Sequence, residues 1–147
     1  MFEMYEKCLF FSLNALTRLV NKHWEDEFSK LGLSAAHGYL VGLVLADRDL
    51  SLKEIAERLE LAPSTVTRFV DALEKKGILK RVVSAEDARS VKIHPTKKAE
   101  DMSKDLDKAI GRLTGLLVDK LGGKQVDELV KTLQGTRKKF GGEQVTE

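Results

Sequence analysis

The run Leu50-Ser51-Leu52-Lys53-Glu54-Ile55, followed by Pro63 and Gly77, constrains the fold more than any other part of the chain. Ser51 and Glu54 have the spacing of a capping box: the serine hydroxyl takes the amide of Glu54, and the glutamate reaches back to the amide of Ser51. Leu50 and Ile55 stand where a hydrophobic staple would close around the same cap. A helix therefore starts here, with Ile55, Ala56 and Leu59 as its apolar face, and it stops near Glu60. A second helix opens at Pro63, whose missing amide proton costs nothing in a first turn. It runs to Lys76 and is closed by Gly77.

The next segments read as a hairpin. Ile78 to Val83 alternates loosely and is rich in Ile, Leu and Val, which predicts a strand, and Ser90 to His94 predicts a second. Between them Ser84-Ala85-Glu86-Asp87-Ala88-Arg89 forms a polar tip. Pro95 ends the sheet and Thr96 caps the following helix. Two short helices, a tight turn and a basic hairpin make a winged helix-turn-helix, so the fold class is mainly α with a small β-wing.

The residue choices on the second helix carry a function. Val66, Phe69, Val70 and Leu73 share one face and must pack inward on Ile55 and Leu59. Ser64, Arg68 and Lys75 project from the opposite face, flanked by Thr65 and Thr67. Small hydroxyl side chains near the N-terminus with one Arg a turn later suit a helix entering a major groove. First-turn amides favour a phosphate there, and Ser34, Lys80 and Arg81 are candidate phosphate contacts.

Taken alone, the net charge opposes a nucleic-acid partner, because 25 Lys+Arg against 23 Asp+Glu leave only +2. The distribution reverses that inference. From Glu25 to Glu60 eight acids face four bases. From Leu61 to Lys98 nine bases (Arg68, Lys75, Lys76, Lys80, Arg81, Arg89, Lys92, Lys97, Lys98) face four acids (Asp71, Glu74, Glu86, Asp87), a local +5. A local positive field draws in a polyanion.

The flanks are helical. Tyr5, Leu9, Leu13, Leu16, Val20, Trp24 and Phe28 recur at helical spacing, which predicts one long helix over the first 30 residues with Gly32 as terminator. Met4, Cys8, Phe11 and Leu19 widen that stripe beyond one face, which points to a partner. Ser34 caps a second helix to Ala46. After the wing, Met102, Leu106, Ile110, Leu113, Leu117 and Leu121 lead to Gly122-Gly123. A last helix with Val126, Leu129, Val130, Leu133 and Phe140 ends at Gly141-Gly142.

A chain of 147 residues fits one domain and needs no staples. Its most continuous apolar stretch, Gly38 to Ala46, is far short of a membrane span. The acidic start is no signal peptide, and a single cysteine, Cys8, fits a reducing, cytoplasmic compartment.

Taken together, these residues resemble the MarR family. The similarity runs through Ser51-Leu52-Lys53-Glu54-Ile55-Ala56-Glu57-Arg58-Leu59, then Ser64 to Gly77, and then Asp87-Ala88-Arg89-Ser90, which looks like the family's Asp-x-Arg-Ser wing signature. It implies a homodimeric transcriptional regulator, more often a repressor, on a pseudo-palindromic double-stranded DNA operator. Within a single domain 1–147, residues 34–94 would be the DNA-binding lobe, and 1–32 and 96–147 the dimerisation helices. Arg89, with Ser90 beside it, would reach a minor groove, and Asp87 would steady Arg89. The chain departs from the family pattern at Glu60 (often Gly), at Ala62 (often Asp or Ser) and at Ala99 (frequently Gly).

Other candidates are weaker. Some MarR relatives sense hydroperoxides through a first-helix cysteine, but registering the helix on Arg18 puts Phe10, not Cys8, at that place, and a lone cysteine is ordinarily core or interface. Arg18, His37 and Tyr39 could line a pocket for a small aromatic or anionic effector; for each, an ordinary surface or interface role competes. Trp24 and Phe28 read as core. His23, His37 and His94 are scattered without ligand spacing, so no metal and no cofactor is expected. No phosphate loop or nucleophile constellation supports an enzyme. A winged helix that binds protein instead of DNA is the remaining alternative.

Overall fold

The computed structural model describes residues 2–141. In chain order these form α1 (Phe2–Glu6), α2 (Leu9–Ser29), α3 (Ala35–Ala46), β1 (Leu50–Ser51), α4 (Leu52–Leu59), α5 (Pro63–Lys75), β2 (Leu79–Val83), β3 (Val91–Pro95), α6 (Lys97–Leu121) and α7 (Gly123–Gly141). The chain divides into two units, Met1–Ala109 and Ile110–Glu147. The fold is mainly α with a small antiparallel sheet, a winged helix-turn-helix.

The capping box forms in full. Ser51 Oγ accepts the Glu54 amide at 3.2 Å, and Glu54 Oε2 accepts the Ser51 amide at 2.7 Å. Ser34 caps α3 in the same way, accepting from the His37 amide at 3.2 Å. The turn between α4 and α5 is closed by a six-to-one hydrogen bond from the Leu61 amide to Ala56 O, with Glu60 left-handed at φ 52°. The same bond ends α2 (Leu33 amide to Phe28 O) and α5 (Ile78 amide to Leu73 O), where Gly32 and Gly77 supply the positive φ. Glu60 therefore does a glycine's work while carrying a Cβ.

The core of the first unit is aliphatic around one aromatic ring. Val66, Val70 and Leu73 of α5 are buried with Ile55 of α4, while Leu59 and Phe69 are half-buried. α3 packs on α2, α4 and β3, which explains why Gly38 to Ala46 is apolar without regard to face. No helix among the described residues is long and apolar enough to cross a membrane. Phe28 is fully buried, and its ring takes up the space where Gly38 lacks a side chain. The sheet order is β1-β3-β2, with Leu50 opposite Ile93 and Leu79 opposite Pro95.

Several boundaries differ from expectation. The first 30 residues are two helices, broken at Lys7 and Cys8, where Cys8 is extended at φ −79°, ψ 120°. No glycine or proline marks that break, so periodicity alone ran through it. β1 is two residues long, too short to show a period of two. Pro95 is the last residue of β3 and pairs with Leu79, so it ends the strand from within. Gly142, expected in the last helix terminator, lies outside the described residues.

Apolar surface is left uncovered in each unit. In the first unit α2 exposes Leu9, Phe10, Leu16 and Leu19, with Phe10 76% accessible. In the second unit α7 has no buried residue and exposes Leu129, Val130, Leu133 and Phe140.

Two glycine-related substitutions should act in opposite directions. A Cβ at Gly38 would lie 2.1 Å from Phe28 Cε1, so Gly38→Ala should destabilise the fold by about 1–3 kcal/mol through overpacking. Glu60→Gly relieves the left-handed strain and should stabilise it by about 1 kcal/mol, net of the entropy glycine returns to the unfolded chain. Thermal and urea melts of the two variants check both signs.

Candidate nucleic-acid interface

α5 begins at Pro63 with no side-chain cap, because Ala62 has nothing to offer the first-turn amides. Ser64 and Arg68 are exposed, whereas Thr65 and Thr67 are half-buried. The Thr67 hydroxyl donates to Pro63 O at 3.0 Å, so it presents an acceptor and a methyl group outward rather than a donor. Lys75 closes the exposed face at the C-terminal end.

The wing tip is held by its own backbone. The Ser84 amide donates to Ser90 O at 2.8 Å, and the Ser90 amide to Asp87 O at 2.9 Å. Asp87 Oδ1 accepts the Arg89 amide at 2.9 Å, an Asx-type turn. Asp87 thus steadies Arg89 through the main chain, leaving the guanidinium exposed.

Ion pairs and hydrogen bonds sort the nine bases of the Leu61–Lys98 segment. Lys76 Nζ donates to Gly32 O at 2.7 Å and Lys98 Nζ to Lys76 O at 2.8 Å, each satisfying carbonyls just past a helix end. Lys92 lies 3.3 Å from Glu54 and donates to Asp49 O. Lys97 pairs with Asp101 at 2.7 Å. Arg81 pairs with Asp71 at 2.6 Å and also with Glu74. Its guanidinium thus faces two carboxylates of the same chain, which sets it apart from Lys80 among the candidate phosphate contacts. Arg68, Lys75, Lys80 and Arg89 remain, all exposed, and among the described residues their side chains make no ion pair or hydrogen bond.

The other candidates are dispersed. Ser34 serves as the α3 cap. His37 meets the Phe69 ring edge-on at 4.8 Å, and burial, then the Lys76 ammonium, hold it below the ordinary imidazole range against an opposing pull from Glu25. Tyr39 OH accepts from Trp24 Nε1 at 3.0 Å, and its ring is 6.1 Å from Phe28. Arg18 is exposed on α2, and no hydrogen bond or ion pair joins it to His37 or Tyr39. Cys8 is exposed at the start of α2 rather than on an apolar helix face, and its thiol makes no capping hydrogen bond. Among the described residues no group of three His, Cys, Asp or Glu could hold a metal ion.

Comparison with known proteins agrees with this architecture. Residues 45–91, spanning the end of α3, α4, α5 and the wing, match the model of the MarR family. Over those residues the chain is similar to the MarR family. The HTH-type transcriptional repressor MdtR of Bacillus subtilis is 31% identical over 85 residues, 58% of this chain and 55% of MdtR. The chain thus spans about half the length of that relative. The HTH-type transcriptional regulator MhqR, also of Bacillus subtilis, is 27% identical over 125 residues, 85% of this chain and 78% of MhqR. Among solved structures, the transcriptional repressor CouR bound to a 23-mer DNA duplex superposes with a TM-score of 0.83 at 23% identity, covering 89% of this chain and 93% of that one.

Within this MarR fold the capping box also carries a pH dependence. Glu54 is pushed down to about 2 by the Ser51 amide and hydroxyl and by Lys92. A depressed folded-state pKa contributes stability that is present above the ordinary glutamate range and fades as the pH falls toward about 2. Glu54→Gln should therefore be less stable than the parent at neutral pH, and denaturant melts of the two should converge on acidification.

Proposed function

We propose that the chain is a sequence-specific DNA-binding transcriptional regulator, acting as a homodimeric repressor on a pseudo-palindromic operator in the cytoplasm. α5 serves as the recognition helix in the major groove, with Ser64, Thr65, Thr67, Arg68 and Lys75 toward the bases and phosphates. The wing carries Arg89 into the adjacent minor groove, with Asp87 and Ser90 shaping its turn, and Lys80 takes a phosphate. Residues 34–94 form the DNA-binding lobe, and 1–32 and 96–147 the dimerisation helices of a single domain.

One observation carries this proposal. Of the nine bases in the +5 segment, the four whose side chains have no partner among the described residues are Arg68, Lys75, Lys80 and Arg89, on α5 and the wing. An unpaired, exposed cation has its full charge to offer to a phosphate or a base edge. The apolar side chains exposed on α2 and α7 support a dimer, since surface of that kind is ordinarily covered by a partner. Two copies related by a two-fold axis would address half-sites about 34 Å apart. The DNA duplex bound to CouR and the repressor name of MdtR point the same way.

A small aromatic or anionic effector would act by favouring a dimer whose recognition helices no longer match that spacing. Arg18, His37 and Tyr39 are the residues to vary first.

Fluorescence anisotropy with the chain's own upstream DNA tests the proposal, and the absence of salt-sensitive, sequence-specific binding would favour a protein-interaction module. Arg68→Ala should cost about 1–3 kcal/mol and relax base preference. Arg89→Ala should weaken binding to the operator, and an unchanged affinity would show that the wing is not engaged. Sedimentation should give a dimer.

A further inference from the structure

Arg81 differs from its neighbours in what it joins. β2 is an edge strand of the sheet, and on its outer side the Arg81 amide donates to Glu74 Oε1 at 3.2 Å. The guanidinium Nη2 bonds Asp71 Oδ1 at 2.6 Å, and Nη1 bonds Glu74 Oε2. Three bonds from one residue thus tie the base of the wing to two carboxylates one turn apart on α5. Each partner suits this use. The planar fork of Arg presents a separate Nη donor to each carboxylate in a pre-organised geometry, and the carboxylates would repel one another without it.

We propose that Arg81 is a positioning residue for DNA binding: its clamp on Asp71 and Glu74 sets where the wing, and therefore Arg89, stands relative to α5. The proposal rests on the DNA-binding function proposed above. The mechanical link is short. β2 and β3 stay in unbroken register from Leu79–Pro95 through Arg81–Ile93 to Val83–Val91, and the Ser84 amide to Ser90 O bond closes the tip. At ~3.3 Å per residue the tip lies about 10 Å beyond Arg81, so rocking by ~10° at the clamp moves it by about 2 Å. A shift that large breaks a hydrogen bond to a base or phosphate. Arg81 acts through Arg89, whereas Lys80, adjacent in sequence and unpaired, acts directly on the polyanion.

The alternative, that Arg81 itself contacts a phosphate, makes opposite predictions. Loss of a direct phosphate contact costs affinity whether or not Arg89 is present, whereas loss of a positioning residue costs affinity only through Arg89. The test uses the full chain and a duplex that the wild-type protein selects from a randomised pool, with circular dichroism and thermal melts confirming that each variant is folded. Arg81→Met should weaken binding roughly ten-fold, a coupling typical of residues in one network. Lys80→Met should lower the slope by about one. In the Arg81→Met background, Arg89→Ala should cost far less than it does in the wild type, because the wing is already displaced. The double variant Asp71→Asn, Glu74→Gln keeps Arg81 and removes two negative charges, yet it should also weaken binding. It carries the test alone if Arg81→Met does not fold.

Tighter binding by that double variant, or an undiminished cost of Arg89→Ala in the Arg81→Met background, would each overturn the clamp while leaving DNA binding intact. A wild-type protein that selects no duplex would instead overturn DNA binding itself, and the clamp with it.

Discussion

The first unit changes direction three times by one device, the six-to-one hydrogen bond that runs back five residues from just beyond a helix end. Leu33 to Phe28, Leu61 to Ala56 and Ile78 to Leu73 are the three cases, and each returns an apolar side chain toward the core. The bond requires one residue with positive φ, and Gly32 and Gly77 adopt it without cost. At the α4–α5 turn the same geometry is imposed on Glu60, so tertiary packing there outweighs a local preference worth about 1 kcal/mol. α5 projects where it does because this turn closes.

Electrostatics divides the basic segment between structure and surface. Helix ends expose carbonyls that need donors, and Lys76 and Lys98 supply them across elements distant in sequence. Carboxylates within reach take Arg81, Lys92 and Lys97. What remains after these local needs are met is a smaller set of unpaired cations, and their position is more informative than the net charge. A +5 segment could have been spent entirely on internal pairs; it was not.

Much of the lobe was legible because its signals are local. Ser51, Glu54, Ser34, Pro63 and Gly77 act within four residues of themselves, so spacing alone reveals the helix ends they set. Val66, Val70 and Leu73 were legible because helical period determines a face. The pairing of Arg81 with Asp71 and Glu74 was not legible because its partners lie seven and ten residues back, across a turn whose angle no periodicity encodes. The contacts of His37 with Phe69 and of Tyr39 with Trp24 likewise join elements distant in sequence. The break at Lys7 and Cys8 carried no glycine or proline to announce it.

By itself the sequence determined the order and ends of the helices from α3 to α6, the inward face of α5, the hairpin and its tip, and the local excess of positive charge. All of these follow from interactions within a helical turn or a single hairpin. Only the tertiary structure decided which cations are spent. Whether Lys76 meets Gly32, Lys98 meets Lys76 or Arg81 meets Asp71 and Glu74 depends on how separate elements approach. A charged side chain pairs with whatever the fold brings within a few ångströms, not with what stands next to it in the chain.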